Sequence, residues 1–265
     1  MNNTLDIKRL GKYFLYDLRR AKNNYGLSLL LMGLTPVIFF LLYIFYCFLW
    51  SIEVGQMPQT MKFVGLFVAL TVVIFGAGAK LYGFVTEKRS GSDFLMLPVS
   101  GVEKWISIVL MVCVALPLVL FTLLVASDAL MSVLLPTHYG SRLFSSISSL
   151  FHRFFTAEPG ISVNLPAILC CNWCENLLIF TLGAVCFRKS KVAKTFLCTL
   201  AVGMAASSLS ALFFGTPSSV DWLRENFTDP VRAATALNWF LSVVFSLVVG
   251  GLLAALYYRI RTLQH

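Results

Sequence analysis

Residues 105–135 read WISIVLMVCVALPLVLFTLLVASDALMSVLL, and their only charged member is Asp128. A bilayer core of about 30 Å is crossed by about 20 apolar residues of helix rising ~1.5 Å each. This stretch is longer than that, so it tilts, bends at Pro117 or reaches beyond the bilayer. Lys104 and Pro136 close it at its two ends. An apolar run of this length is the signature of a transmembrane helix rather than of a buried strand or a soluble core helix.

Five further stretches meet the same requirement, over 27–50, 63–84, 165–187, 195–214 and 237–258. The 265-residue chain is 58% hydrophobic and 12% charged, with a mean hydropathy of +0.81. Soluble domains average roughly 45–50% apolar and about 25% charged residues, so a large aqueous catalytic domain and a disordered chain are both excluded. The first apolar run starts at Leu27, is too long for a signal-peptide core and has no small-x-small site behind it, so no secretory signal peptide is expected. No internal repeat stands out. The expected fold is all-α: one membrane domain of six transmembrane helices spanning the chain, with helices lying at both interfaces.

The net charge of +9 comes from 21 Lys and Arg against 12 Asp and Glu. In a soluble protein it would suggest a nucleic-acid partner, but here its distribution reads as topology. With the N-terminus inside, 16 of the 21 basic residues fall in cytoplasmic segments, and outer loops hold only Lys62, Arg142, Arg153, Arg224 and Arg232. An asymmetry of this kind in short loops places both termini in the cytoplasm. No nucleic-acid partner is expected. The outer loops are 51–62, 136–164 and 215–236.

Residues 1–25 carry an amphipathic pattern, with Ile7, Leu10, Phe14 and Leu18 at helical spacing and Lys8, Arg9, Lys12 and Arg19 on other faces. Such a helix is expected at the inner interface, either as a membrane anchor or as a contact for a cytoplasmic partner. Phe144, Ile147, Phe151 and Phe154 repeat at similar spacing, which predicts a second interfacial helix on the outer side. The cytoplasmic loop 85–104 contains the turn signal Ser90-Gly91-Ser92-Asp93 and the apolar run Phe94-Leu95-Met96-Leu97. Ser100 with Glu103 forms a capping-box pattern opening the third span. Apolar residues rimmed by charge at a surface suggest docking, and folding back against the bundle is the alternative.

Two acids fall inside spans. Glu175 lies near the middle of the fourth, flanked by Asn172 and Asn176, and Asp128 lies towards the outer end of the third. An ionisable group at such depth is neutral, paired or wet, so Glu175 either lines a path or anchors helices by hydrogen bonds. The cysteines at 170, 171 and 174 lack a histidine in any span and make no zinc set. Gly76-Ala77-Gly78-Ala79-Lys80 lacks the length and the Ser/Thr of a Walker A loop, and neither His-Glu-x-x-His nor Gly-x-Ser-x-Gly is present. Gly76, Gly78, Gly83, Gly250 and Gly251 are read as sites of close helix packing. No catalytic residue, cofactor or metal is expected.

Two segments carry a resemblance. Phe94 to Lys104, FLMLPVSGVEK, resembles the "LPxSxxEK" signature between the second and third spans of membrane subunits of type-2 ATP-binding-cassette exporters, especially Bacteroidetes-like ones. Phe180 to Lys189, FTLGAVCFRK, followed by Lys194-Thr195, is similar to the "LGxxFFRK…KT" end of that family's fourth span. The large outer loop departs from the pattern: it lies between spans three and four, where well-described relatives more often carry outer helices between five and six. The resemblance implies a permease subunit in a bacterial inner membrane, paired with an identical or paralogous permease and driven by separate cytoplasmic ATPase subunits. It implies docking at Glu87, Lys88, Arg89, Asp93, Phe94 and Glu103. The competing reading is a non-transporting scaffold or sensory protein that recruits a cytoplasmic partner; an intramembrane enzyme around Glu175 and the cysteines is a weaker third.

Overall fold

The computed structural model describes residues 6–87, 91, 94, 96–97, 99–145, 165–214 and 230–263, with side chains over 171–209, 211–212 and 239–263 in the last two stretches. Among the described residues every regular element is helical. Helix α1 spans Ile7–Gly33 and starts at Asp6, whose side chain accepts from the Lys8 N–H at 2.9 Å. The amphipathic segment therefore runs without a break into the start of the first expected span, residues 27–33, and the rest of that span lies in a second helix beyond Leu34. Its inward stripe is Tyr13, Asp17, Ala21, Tyr25, Leu29 and Gly33, at every fourth position, the row by which one helix settles into the groove of another. The apolar residues of the amphipathic pattern lie off this stripe: Ile7 and Leu18 are exposed, and Leu10 and Phe14 half-buried.

At Gly33 α1 passes so close to the helix carrying Leu123 that any side chain would strike it, and the Ser127 hydroxyl of that helix donates to the Gly33 carbonyl at 2.7 Å. Leu34 breaks the helix and Pro36 opens α2, Thr35–Leu49, so that the pair is bent by 49°. A proline in the first turn costs no hydrogen bond, because its missing N–H would be unpaired there in any case.

Helix α3, Gln59–Tyr82, buries a row of small residues, Gly65, Ala69, Val73 and Ala77. Gly78 extends it: a Cβ there would lie 2.7 Å from the Phe180 carbonyl carbon. This is why α3 packs most extensively against α7, Leu165–Cys186. Small residues let helix backbones approach where lipid supplies no hydrophobic drive. The other glycines divide. Gly83 lies against Lys191 and a Cβ at Gly76 would meet the Tyr25 hydroxyl at an ordinary 3.6 Å, while a Cβ at Gly250 or Gly251 would meet no described residue within 4 Å, so no close packing is seen at those two positions among the described residues.

Helix α4, Gly101–Leu110, runs through a π turn at Met111–Ala115 into α5, Leu116–Leu134. The Leu116 N–H reaches back to the Met111 carbonyl, one residue further than in an α-helix. The cause is Pro117, whose ring crowds the carbonyl four residues earlier and whose nitrogen donates nothing. The third span thus absorbs its proline by widening one turn. A short helix, α6 (Pro136–Tyr139), follows.

Helix α8, Lys191–Phe214, and α9, Pro230–Leu263, complete the described chain. Helix α9 packs along its last turns, where Leu256 and Ile260 are buried and the Trp105 indole donates to the Leu253 carbonyl at 3.0 Å. Among the described residues four helical stretches are long and apolar enough to cross a membrane, Gln59–Thr86, Gly101–Leu134, Lys191–Leu209 and Trp239–Leu263, and the bent α1–α2 pair makes a fifth if it is taken as one span. The described apolar part of α7, Cys171–Cys186, is shorter than those. The described residues are all-helical, with several helices long and apolar enough to span a membrane, as in a multi-pass membrane protein. The outer helix expected around 144–154 lies from residue 146 onward outside the described residues, as do 215–229.

Candidate functional site

The polar chemistry is concentrated where the basic residues are, at the end of the bundle formed by the starts of α1, α4 and α8 and the ends of α3, α7 and α9. Ser100 and Glu103 form the capping box expected from sequence: the Glu103 N–H donates to Ser100 Oγ at 3.3 Å, and the Ser100 N–H to Glu103 Oε2 at 2.9 Å. Glu103 does more than cap. Arg9 Nε lies 3.0 and 2.9 Å from its two oxygens, Arg9 Nη2 2.7 Å from Oε1, and the Asp6 N–H donates to Oε1 at 2.9 Å. One wholly buried carboxylate therefore caps α4 and holds the first turn of α1. Its neighbour Lys104 is also wholly buried; its ammonium donates to the Phe94 carbonyl at 2.7 Å and lies 4.8 Å from the Phe94 ring centroid.

The chain after α3 is fastened on its other side. A 3₁₀ turn, Gly83–Thr86, presents the Gly83 carbonyl to the Lys191 ammonium, which also reaches Glu87 Oε1 at 3.4 Å. The Thr86 hydroxyl lies 3.3 Å from the Phe187 carbonyl. Phe84 stacks beneath the Arg20 guanidinium, 3.3 Å from ring centroid to Cζ, and meets Phe94 edge-on at 6.1 Å. Asp17 sits just inside, accepting from the Tyr82 hydroxyl at 2.8 Å and the Ser107 hydroxyl at 3.1 Å. The segment between α3 and α4 is thus tied to α1, to α4 and to the α7–α8 turn.

This geometry redistributes the six residues expected to dock a partner. Glu87 is at the surface, beside Lys191. Phe94 and Glu103 are not available to a partner in this structure: Phe94 is 1% exposed and the Glu103 oxygens are occupied. The reason is ordinary, since an aromatic ring gains by burial and a carboxylate with several donors gains by staying among them. Lys88, Arg89 and Asp93 lie outside the described residues. Sequence reading missed Arg9, Asp17, Tyr82 and Lys104 as site members. For Asp17 a signal was present: it falls in register with Tyr13, Ala21 and Tyr25, where an acid faces inward.

At the opposite end, Asp128 is 1% exposed and anchors a second polar cluster. Tyr139 donates to its Oδ1 at 2.6 Å and the Leu143 N–H to its Oδ2 at 2.9 Å. Lys62, buried at the start of α3, donates to the Tyr139 carbonyl at 2.6 Å and the Ser141 carbonyl at 2.8 Å, with its Nζ 3.9 Å from the Tyr139 ring centroid. Asp128 is therefore a structural acceptor that folds residues 139–143 onto the helix ends. Burial and the Asp128 carboxylate both hold the Tyr139 phenol well above its ordinary range, so it remains the donor.

The mid-bundle polar set is looser. Asn176 Nδ2 donates to the Asn172 carbonyl at 2.8 Å and to its Oδ1 at 3.0 Å, a bond within one helix. Glu175 is half-buried and no described residue hydrogen-bonds its carboxylate. Trp173 meets Phe121 edge-on at 6.0 Å and buries an indole N–H without a hydrogen-bond partner among the described residues. Glu175, Asn172 and Asn176 are not brought together with Asp128. No family model, no curated protein and no solved structure matches this chain.

Proposed function

We propose that the chain is the permease subunit of a type-2 ATP-binding-cassette exporter, with six spans and both termini in the cytoplasm of a bacterial inner membrane. Two such subunits, identical or paralogous, form the pathway, and separate ATPase subunits act on the segment between α3 and α4. The reading rests on the sequence resemblance and on one structural observation: that segment is joined to α1 by Arg20–Phe84, to α4 by Lys104–Phe94 and to the start of α8 by Lys191–Glu87. A load applied there moves α1, α4 and the α7–α8 turn together, the mechanical requirement for turning nucleotide-driven closure into a change of access. The basic charge at the same end supports its cytoplasmic orientation.

The test is co-purification with an ATP-binding-cassette ATPase from the same organism, followed by hydrolysis measurements in nanodiscs. The permease is expected to change the hydrolysis rate, and replacing residues 87–93 by Gly and Ser to abolish that change while the complex persists. An ATPase that binds with unaltered hydrolysis would favour the non-transporting scaffold. No association with any ATPase would overturn the reading.

A further inference from the structure

Between α1 and the α4–α5 helix lies an apolar groove of about 370 Å³ that the exporter reading does not use. Its floor is Tyr25, Leu81, Met111 and Leu116, all buried, and its rim is half-open along Leu30 and Val119. The gap exists because Gly26 and Ala115 offer no bulk where the helices face each other, and because the π turn at Met111–Ala115 shifts that face of the third span. From Arg19 to Leu30 the groove follows α1 for roughly 17 Å at ~1.5 Å per residue. That is close to one leaflet of hydrocarbon, half of about 30 Å.

The mouth of this groove is cationic. Arg19 and Lys22, one turn apart on α1, are both exposed and both line it at the basic end of the bundle. No acid among the described residues pairs with either. The nearby Asp17 turns inward to Tyr82 and Ser107, and Arg20 stacks on Phe84. A leaflet-long apolar trough ending in two cations with no acid partner among the described residues is complementary to one class of molecule. We infer that the groove binds an anionic phospholipid, an acyl chain against Leu29, Met111 and Ala115 and the phosphate between Arg19 and Lys22. A zwitterionic headgroup brings its own cation to the same place, so it gains less from the pair. The lipid would brace α1 against the third span, and this inference stands whether or not the chain is an exporter subunit.

The experiment uses the full chain in neutral detergent, with phosphatidylglycerol or phosphatidylcholine of identical chains added, and retained lipid counted by native mass spectrometry. Wild-type protein is expected to keep phosphatidylglycerol in preference to phosphatidylcholine. Arg19→Gln with Lys22→Gln should weaken that preference roughly 30-fold, two cations each contributing about 1 kcal/mol. Gly26→Phe fills the trough from α1, where an added Cβ meets only Lys22 Cγ at 3.6 Å, and should lower retention of both lipids. Ala115→Phe fills it from the other wall, and a melting curve for each variant separates a filled groove from a misfolded chain. Equal retention of both lipids by wild type would overturn the inference. So would a preference surviving the double substitution, or displacement by glycerophosphoglycerol, which has the headgroup and no chains. If folded filling variants alter the fraction of dimer while lipid retention is unchanged, the groove belongs to a second copy and the inference fails.

Discussion

Glu103, with no exposed side-chain surface, accepts the Arg9 guanidinium at 2.7 Å across 94 residues of sequence. The pair is asymmetric, since Arg9 remains 37% exposed while its partner is wholly enclosed. The carboxylate carries the structural load, because it also satisfies two backbone N–H groups, of Asp6 and of Ser100, that would otherwise be orphaned at helix starts.

Substitutions at this joint should follow that asymmetry. Ser100→Ala removes one cap bond and is expected to cost about 1 kcal/mol. Glu103→Ala should cost more, about 1–3 kcal/mol beyond the cap, because buried N–H donors lose their acceptor. Arg9→Gln should cost less than Glu103→Ala, as its exposed end rehydrates. Thermal unfolding of the purified protein in detergent ranks the three, and a larger loss from Arg9→Gln than from Glu103→Ala would contradict the asymmetry.

At the other end, Asp128→Asn puts an amide nitrogen where the carboxylate accepts from Tyr139 or from Leu143, leaving one buried donor unpaired. The expected loss is about 1–3 kcal/mol, with faster proteolysis within residues 139–143 as its local sign. Lys62→Met frees the Tyr139 and Ser141 carbonyls and should expose the same segment. The two substitutions share this small cluster, so their combined effect should be less than additive.

Glycine positions provide a contrast that needs no functional assay. Gly78→Leu forces α3 away from the Phe180 backbone, 2.7 Å from the new Cβ, and should abolish a monodisperse folded species on size exclusion. Gly250→Ala and Gly251→Ala meet no described residue within 4 Å and should be neutral or stabilise by up to about 1 kcal/mol, from the smaller loss of backbone entropy by Ala on forming a helix. A Gly78→Leu protein that unfolds like wild type would refute the close α3–α7 contact.

Inside the basic end, Tyr82→Phe and Ser107→Ala each withdraw one hydroxyl from the same oxygen of Asp17. Either alone leaves that oxygen one donor. Together they leave it none among the described residues, so the double variant should lose more melting temperature than the sum of the singles. Replacing Asp17 by Asn in that background should recover part of the loss, because it removes the charge that lacked donors.

Much of this was legible beforehand for identifiable reasons. Residues 105–135 had to form a helix of membrane length, because composition and run length alone decide that an apolar backbone must bond to itself. The Ser100–Glu103 cap was legible because its two bonds join residues three apart. The polar set at the basic end was not. Arg9 and Glu103 meet across 94 positions, Lys191 and Glu87 across 104, and Lys62 and Tyr139 across 77, so no local period announces them. Tertiary structure also decided which expected surfaces are surfaces, enclosing Phe94 and Glu103 while leaving Glu87 outside. It likewise joined the amphipathic segment to the start of the first expected span and broke that span at Leu34, with Tyr13, Asp17, Tyr25 and Gly33 in one buried row up to the break. Membrane character, helical class and charge asymmetry are properties of the chain summed along its length, and sequence alone determines them. Which charges are buried, capped or free depends on helices approaching from distant parts of the chain, and only the packed bundle decides that.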